Sequence, residues 1–138
     1  FPERLGGRVK PRHPFIHGGI LADKDNPGHL ETLKEHGIKP FDMVCVNLYD
    51  FSGALAKGLD LRSTIEEIDI GGPCLLRASA KNYHSILVLP GVDFYAGARK
   101  ELEAGGMKVS LEFRRKTAAA AFAATSAYDA MISGWLGA

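Results

Sequence analysis

The sequence predicts an α/β domain built on a mainly parallel sheet. Three observations carry that prediction. Two continuous apolar runs, residues 42–49 (Asp-Met-Val-Cys-Val-Asn-Leu-Tyr) and 85–90 (Ser-Ile-Leu-Val-Leu-Pro), read as strands buried on both faces, as parallel strands are. Capped helical segments stand before, between and after them, the alternation a parallel sheet needs. Between the runs lies Asp69-Ile70-Gly71-Gly72-Pro73, which reads as an acidic loop, a glycine turn and the start of a helix with Pro73 at its first position.

Residues 1–21 show little periodicity but dense polar chemistry, with Arg4, Arg8, Lys10, Arg12, His13 and His17. Pro11 and Pro14 push the residues before them toward extended backbone. Arg8 and Lys10, two apart, then project together as a pair of cations suited to a phosphate or a polarised carbonyl, or as a solvated basic loop. His13 and His17 are four apart, but Pro14 between them argues against a metal-binding helix. Asn26-Pro27 marks a helix start, and Gly37 its stop. Residues 50–62 read as a loop, and Ser63-Thr64-Ile65-Glu66 as a capping box opening a short helix. Asp93 caps an expected helix over residues 94–104 that Gly105-Gly106 stops. Ser110 caps the last and longest helix, with an apolar stripe through Leu111, Ala118, Phe122, Thr125, Tyr128, Ile132 and Trp135 or Leu136. Arg114, Arg115 and Lys116 read as its solvated face, and Tyr128-Asp129 as a packing residue with a polar neighbour in preference to a site pair.

The 138 residues suit one domain with a real core. A net charge of +1 gives no global attraction to nucleic acid or to a membrane surface. No apolar run is long enough to span a bilayer, and the sequence shows no signal-peptide pattern. Cys45 and Cys74 stand far apart in apolar contexts and read as buried, reduced thiols, which points to a cytoplasmic setting. No HExxH or paired-cysteine spacing suggests a metal. The chain opens at Phe1 on a basic loop, as the later part of a larger domain would.

Candidate chemistry gathers around Asp69. Glycines let backbone amides approach a ligand, and a helix N-terminus favours negative charge. Asp69 and Lys81, at either side of that turn and helix, suit proton transfer beside a developing oxyanion, or are an acidic loop residue and a helix-ending lysine. Asn47 and Tyr49 stand at the carboxyl end of the first strand, where open α/β sheets collect ligands, although a turn Asn and a rim Tyr explain them equally well.

Taken together, the blocks Gly7-Arg8-Val9-Lys10, His13-Pro14, His17-Gly18-Gly19-Ile20-Leu21-Ala22, Val46-Asn47-Leu48-Tyr49, Ile68-Asp69-Ile70-Gly71-Gly72, Leu76-Arg77-Ala78, Ala80-Lys81-Asn82 and Ala127-Tyr128-Asp129 resemble the inosine-monophosphate (IMP) cyclohydrolase domain. In that family it forms the N-terminal part of the bifunctional purine-biosynthesis protein. The resemblance implies a methylglyoxal-synthase-like (Rossmann-like), three-layer fold over residues 1–138, incomplete at its N-terminus and without a transformylase domain. It implies closure of 5-formamidoimidazole-4-carboxamide ribonucleotide (FAICAR) to IMP with loss of water, with no cofactor and no metal, by a homodimer. A separate AICAR transformylase would then supply the substrate. By position, the resemblance makes Lys81 the proton donor and acceptor, and Asp69 with the Ile70, Gly71 and Gly72 amides the group orienting the reacting amide and formyl. It places Lys10 at the carbonyl oxygen with Tyr49 as its hydrogen-bonding companion, and Arg8, Val9, Pro11, Val46 and Asn47 against the nucleotide.

The chain departs from the family pattern at Pro11-Arg12 for Thr-Leu, Asp50 for Pro, Cys74 for Thr and Tyr83 for His. Pro11 offers neither a hydroxyl nor a backbone N–H. The family's opening βαβ portion with its phosphate-binding motifs is expected before Phe1. The alternative reading is a purine-ribotide-binding module with impaired catalysis.

Overall fold

The structure, a computed structural model, describes residues 13–138. The expectations for Arg8, Val9, Lys10 and Pro11 lie outside the described residues. Helices α1 (Pro14–Leu21) and α2 (Pro27–Glu35) precede strand β1 (Met43–Cys45). Helices α3 (Phe51–Ala56), α4 (Leu61–Glu66) and α5 (Gly71–Lys81) lead to strand β2 (Leu87–Leu89). A 3₁₀ turn (Val92–Phe94), α6 (Tyr95–Ala104) and α7 (Leu111–Leu136) complete the chain.

The α/β expectation holds. The two strands pair in parallel, Val44 opposite Val88. Strand β2 sits between helical layers, and its alternation decides what each layer receives. Val88 joins Leu76 and Ala80 of α5 and Ala118 and Ala121 of α7 in one cluster. Leu87 and Leu89 face the other way, onto Ala98 of α6, with Phe94, Val109 and Phe113 packed around them. Alanines let α5 and α7 approach closely.

The helix ends follow local chemistry. His13 holds an extended backbone, and its ring Nδ1 accepts from the Phe15 N–H at 3.3 Å. Pro14 is thus the first residue of α1, where its missing N–H costs nothing, and the expected irregular stretch is helical from there. Asn26 caps α2 as expected, and Gly37 stops it with φ of 66°, its next residue Ile38 donating back to the Leu33 carbonyl at 2.8 Å. Gly106, φ 58°, does the same for α6, with Met107 N–H on the Leu102 carbonyl at 2.8 Å.

Several expectations fail for identifiable reasons. Residues 50–62 are not a loop, because two aspartates cap helices there. Asp50 accepts from Gly53 N–H at 2.9 Å and opens α3. This is a departure from the family's proline, which carries no such acceptor side chain. Asp60 accepts from the Arg62 and Ser63 amides at 3.0 and 3.1 Å and opens α4, so Ser63 is the third helical residue and not the cap. Asp93 caps nothing: the 3₁₀ turn intervenes, and α6 begins without a side-chain cap. Pro73 is the third residue of α5 and not the first. The first strand is three residues long, with Met43 and Cys45 exposed together on one face, and β2 is its one strand neighbour among the described residues. Cys45 is therefore not a buried thiol, and Cys74 is half-buried.

Ser110 caps α7 as expected, accepting from Phe113 N–H at 3.2 Å. The buried stripe of α7 is Thr117, Ala118, Ala121, Thr125 and Tyr128, while Leu111, Phe122 and Leu136 are exposed. Phe122 lies one residue off the stripe and takes the Arg77 guanidinium over its ring at 5.5 Å. Arg114 is not simply solvated: its guanidinium donates to the His84 carbonyl, and its Nε is buried.

Leu76→Ala should lower unfolding free energy by about 3 kcal/mol in a urea titration, since its side chain is wholly buried in the α5–β2–α7 cluster. The Asp50 carboxyl is held below the usual range chiefly by Gly53 N–H, and that of Asp60 chiefly by the Ser63 hydroxyl. A depressed folded value means stability present above the ordinary aspartate range and lost as pH falls through the folded value. Asp60→Asn keeps a capping oxygen without the charge, and should flatten the fall of melting temperature below about pH 4.

Candidate active site

The end of β1 and the start of α5 meet through alternation along residues 46–49. Val46 and Leu48 pack against the core cluster, while Asn47 and Tyr49 are exposed. Val46 N–H also donates to the Leu89 carbonyl at 3.0 Å, extending the parallel pairing by one bond. Tyr49 is 48% exposed and lines an open pocket of about 310 Å³ with Asp50, Gly53, Lys57 and Glu67.

Asp69 is fixed from two sides. Its amide N–H donates to the Tyr128 hydroxyl at 2.8 Å. Its carboxylate Oδ1 accepts from Gly72 N–H at 2.8 Å. Gly72 has no room for a side chain, because a Cβ there would collide with the Asp69 carboxylate and come within 2.8 Å of Leu48 Cδ2. The expected nest of three amides is thus reduced: Gly72 N–H is committed to Asp69. The Ile70 and Gly71 amides make no backbone or side-chain hydrogen bond among the described residues, and Ile70 is exposed at the cap position of α5. Two amides and one free carboxylate oxygen at a helix N-terminus suit a polarised or anionic oxygen.

Tyr128, read from sequence as a packing residue in preference to a site residue, reaches Asp69. It is 5% exposed, and its ring meets Phe51 edge-on at 6.3 Å. Burial pushes its phenol up, the nearby charges of Asp69, Asp129 and Tyr49 push the same way, and the Asp69 N–H pulls it down. Tyr49, Asp69 and Tyr128 therefore form one electrostatic neighbourhood. The sequence signal for Tyr128 was a single large polar ring in a stripe of alanines and threonines.

Lys81 is elsewhere. It ends α5, eleven residues long, and is exposed. At about 1.5 Å per residue, it stands about 15 Å along the axis from the turn that holds Asp69, so the two do not flank one nest within a chain. An ammonium in the last turn complements the helix dipole there. Asn82, next to it, is a tie: its Nδ2 donates to the Ile20 and Ala22 carbonyls at 2.8 and 2.9 Å, joining the ends of α5 and α1. Cys74 Sγ lies 3.5 Å from His17 Nε2, a second link between these helices. Gly19 completes the seat of α1, since a Cβ there would come within 2.6 Å of the Lys39 carbonyl. Among the described residues no three His, Cys, Asp or Glu side chains converge as a metal site needs, and no helix is long and apolar enough to cross a membrane.

The fold is an α/β domain, with a candidate site where the end of its first strand meets a helix N-terminus. The family profile described as "MGS-like domain" matches residues 1–74, and that described as "AICARFT/IMPCHase bienzyme" matches residues 79–138. The bifunctional purine biosynthesis protein PurH of Jannaschia sp. (strain CCS1) is 48% identical over 139 residues, covering 99% of this chain and 26% of that protein. Its counterpart in Ligilactobacillus salivarius (strain UCC118) is 50% identical over 137 residues, covering 99% and 27%. The crystal structure of ForH superposes with a TM-score of 0.76 at 37% identity, covering 96% of this chain and 69% of that one. The chain belongs to the MGS-like domain family, in its PurH-type branch, and spans about a quarter of the length of these curated relatives.

Gly72→Ala should cost about 1–3 kcal/mol by overpacking, read as a lower denaturation midpoint. Gly71→Ala should be tolerated far better, because its Cβ would approach the Asp69 carboxylate no closer than 4.0 Å.

Proposed function

We propose that this chain carries the IMP cyclohydrolase step of purine biosynthesis, closing FAICAR to IMP with loss of water. The observation that carries the reading is the doubly held Asp69 beside the uncommitted Ile70 and Gly71 amides, at positions that match the family motif. The carboxamide nitrogen attacks the formyl carbon and forms the C–N bond. The formyl oxygen gains negative charge and takes a proton as the attacking nitrogen loses one; the resulting hydroxyl then takes a second proton and leaves as water, its C–O bond breaking as the formamido nitrogen gives up its N–H proton and forms the C=N bond of the ring. Such a reaction needs an oxyanion stabiliser and a proton shuttle. The two amides and Lys10 serve the first need. Asp69 orients the amide and formyl, Tyr49 supports Lys10, and Lys81 moves the proton. Arg8, Val9, Pro11, Val46 and Asn47 hold the nucleotide.

The length of α5 constrains this assignment. Asp69 and Lys81 of one chain cannot touch the same reacting atoms, so the proposed roles meet in a homodimer, with Lys81 supplied by the second copy.

The test is an absorbance assay of ring closure on the protein that carries this chain. Wild type should turn over, and Lys81→Ala and Asp69→Asn should each lose at least about a hundredfold in kcat. Mixing the two variants after dissociation and reassociation should restore part of the activity. Normal turnover by Lys81→Ala would remove the shuttle role. Binding of IMP without any turnover by wild type would favour a binding module instead.

A further inference from the structure

We propose that Tyr128 is a positioning residue for this site, holding Asp69 in place by accepting its backbone N–H from the buried face of α7. The proposal rests on the reading of Asp69 given above. A 2.8 Å bond joins residues 59 apart in sequence, and it ends on a side chain that is 5% exposed. The rest of the buried stripe of α7, Thr117, Ala118, Ala121 and Thr125, is too short to reach beyond α5. Tyr128 is the one buried member of that stripe with the length to reach the loop before α5.

The ring is itself braced. Phe51 meets it edge-on at 6.3 Å, and Trp135, about two turns further along α7, meets Phe51 at 5.5 Å. The hydroxyl oxygen is thus placed by the packing of its ring. A part-buried amide that loses its acceptor is left poorly solvated, so the loop favours the position in which Tyr128 accepts from it. Among the described residues, the carboxylate end of Asp69 is held by Gly72 N–H, a bond within the turn that does not tie the loop to the rest of the fold. Tyr128 supplies that tie. Burial pushes the phenol up, and the hydroxyl that accepts from Asp69 keeps an O–H of its own to donate.

Tyr128→Phe deletes the acceptor and keeps the ring. Two readouts test it. The first is hydrogen exchange of the Asp69 amide, which should speed up at least about tenfold while amides in β2 stay unchanged. The second is a double-mutant cycle: Tyr128→Phe should lower kcat about tenfold with little change in KM, and should cost nothing further in an Asp69→Asn background. Phe51→Leu, which disturbs the ring contact but not the hydrogen bond, should leave Asp69 exchange slower than Tyr128→Phe does. If Tyr128→Phe does not fold, fluorinated tyrosine at position 128, a weaker acceptor, should give an intermediate exchange rate. Unchanged Asp69 exchange, or an equal kcat loss with and without the Asp69 carboxylate, overturns the proposal. An inactive wild type sinks the cyclohydrolase reading alone, and the exchange experiment still decides whether Tyr128 holds Asp69.

Discussion

The packing of α5 between β2 and α7 is the constraint on which the rest depends. Leu76 and Ala80 bury one side of α5 against Val88, Ala118 and Ala121, and the helix cannot shift without opening that cluster. Its N-terminal turn carries the Asp69 loop and the two uncommitted amides. Its C-terminal turn carries Lys81 and the Asn82 tie to α1. Chemistry is hung on the ends of a rigid rod whose middle is core, so stability and site geometry are not separable here.

This arrangement explains how two roles share one motif. Gly71 and Gly72 look alike in sequence, yet Gly72 is a steric necessity against Leu48 and the Asp69 carboxylate, while Gly71 keeps an open amide. Asp69 is likewise both the acceptor that fixes the turn and the carboxylate that faces the site. A helix cap and a ligand-orienting group want the same thing, an oxygen aimed at exposed N–H groups.

Much of the fold was legible. The two apolar runs gave the parallel pair, and Asn26, Gly37, Ser110 and Gly105-Gly106 gave helix ends, because each acts through its nearest neighbours. The misreadings share a cause. Asp50 and Asp60 compete as caps with Ser63, and the outcome depends on which turn packs. The burial of β1 depends on what covers the face that Met43 and Cys45 share, which its own residues do not encode. The site was legible as a set of residue types and not as a geometry: the distance between Asp69 and Lys81 follows from the length of α5, and the reach of Tyr128 to Asp69 from a fold-back of 59 positions.

The buried hydroxyls between α5 and α7 set how these helices relate. Ser79 donates to the Leu75 carbonyl at 2.8 Å, and Thr117 and Thr125 donate to the Arg114 and Phe122 carbonyls at 3.1 Å, each within its own helix. Among the described residues, no side-chain hydrogen bond passes directly from α5 to α7. The interface behaves as a greased seam: size fixes the spacing, and a small roll of α5 about its own axis meets little directional resistance beyond the Arg77 guanidinium over the Phe122 ring at 5.5 Å. Such a roll would swing the Asp69 loop sideways and leave core volume almost unchanged. Directional control of the Asp69 loop is thus delegated to contacts outside the seam, and substitutions that preserve the core can still misaim the candidate site.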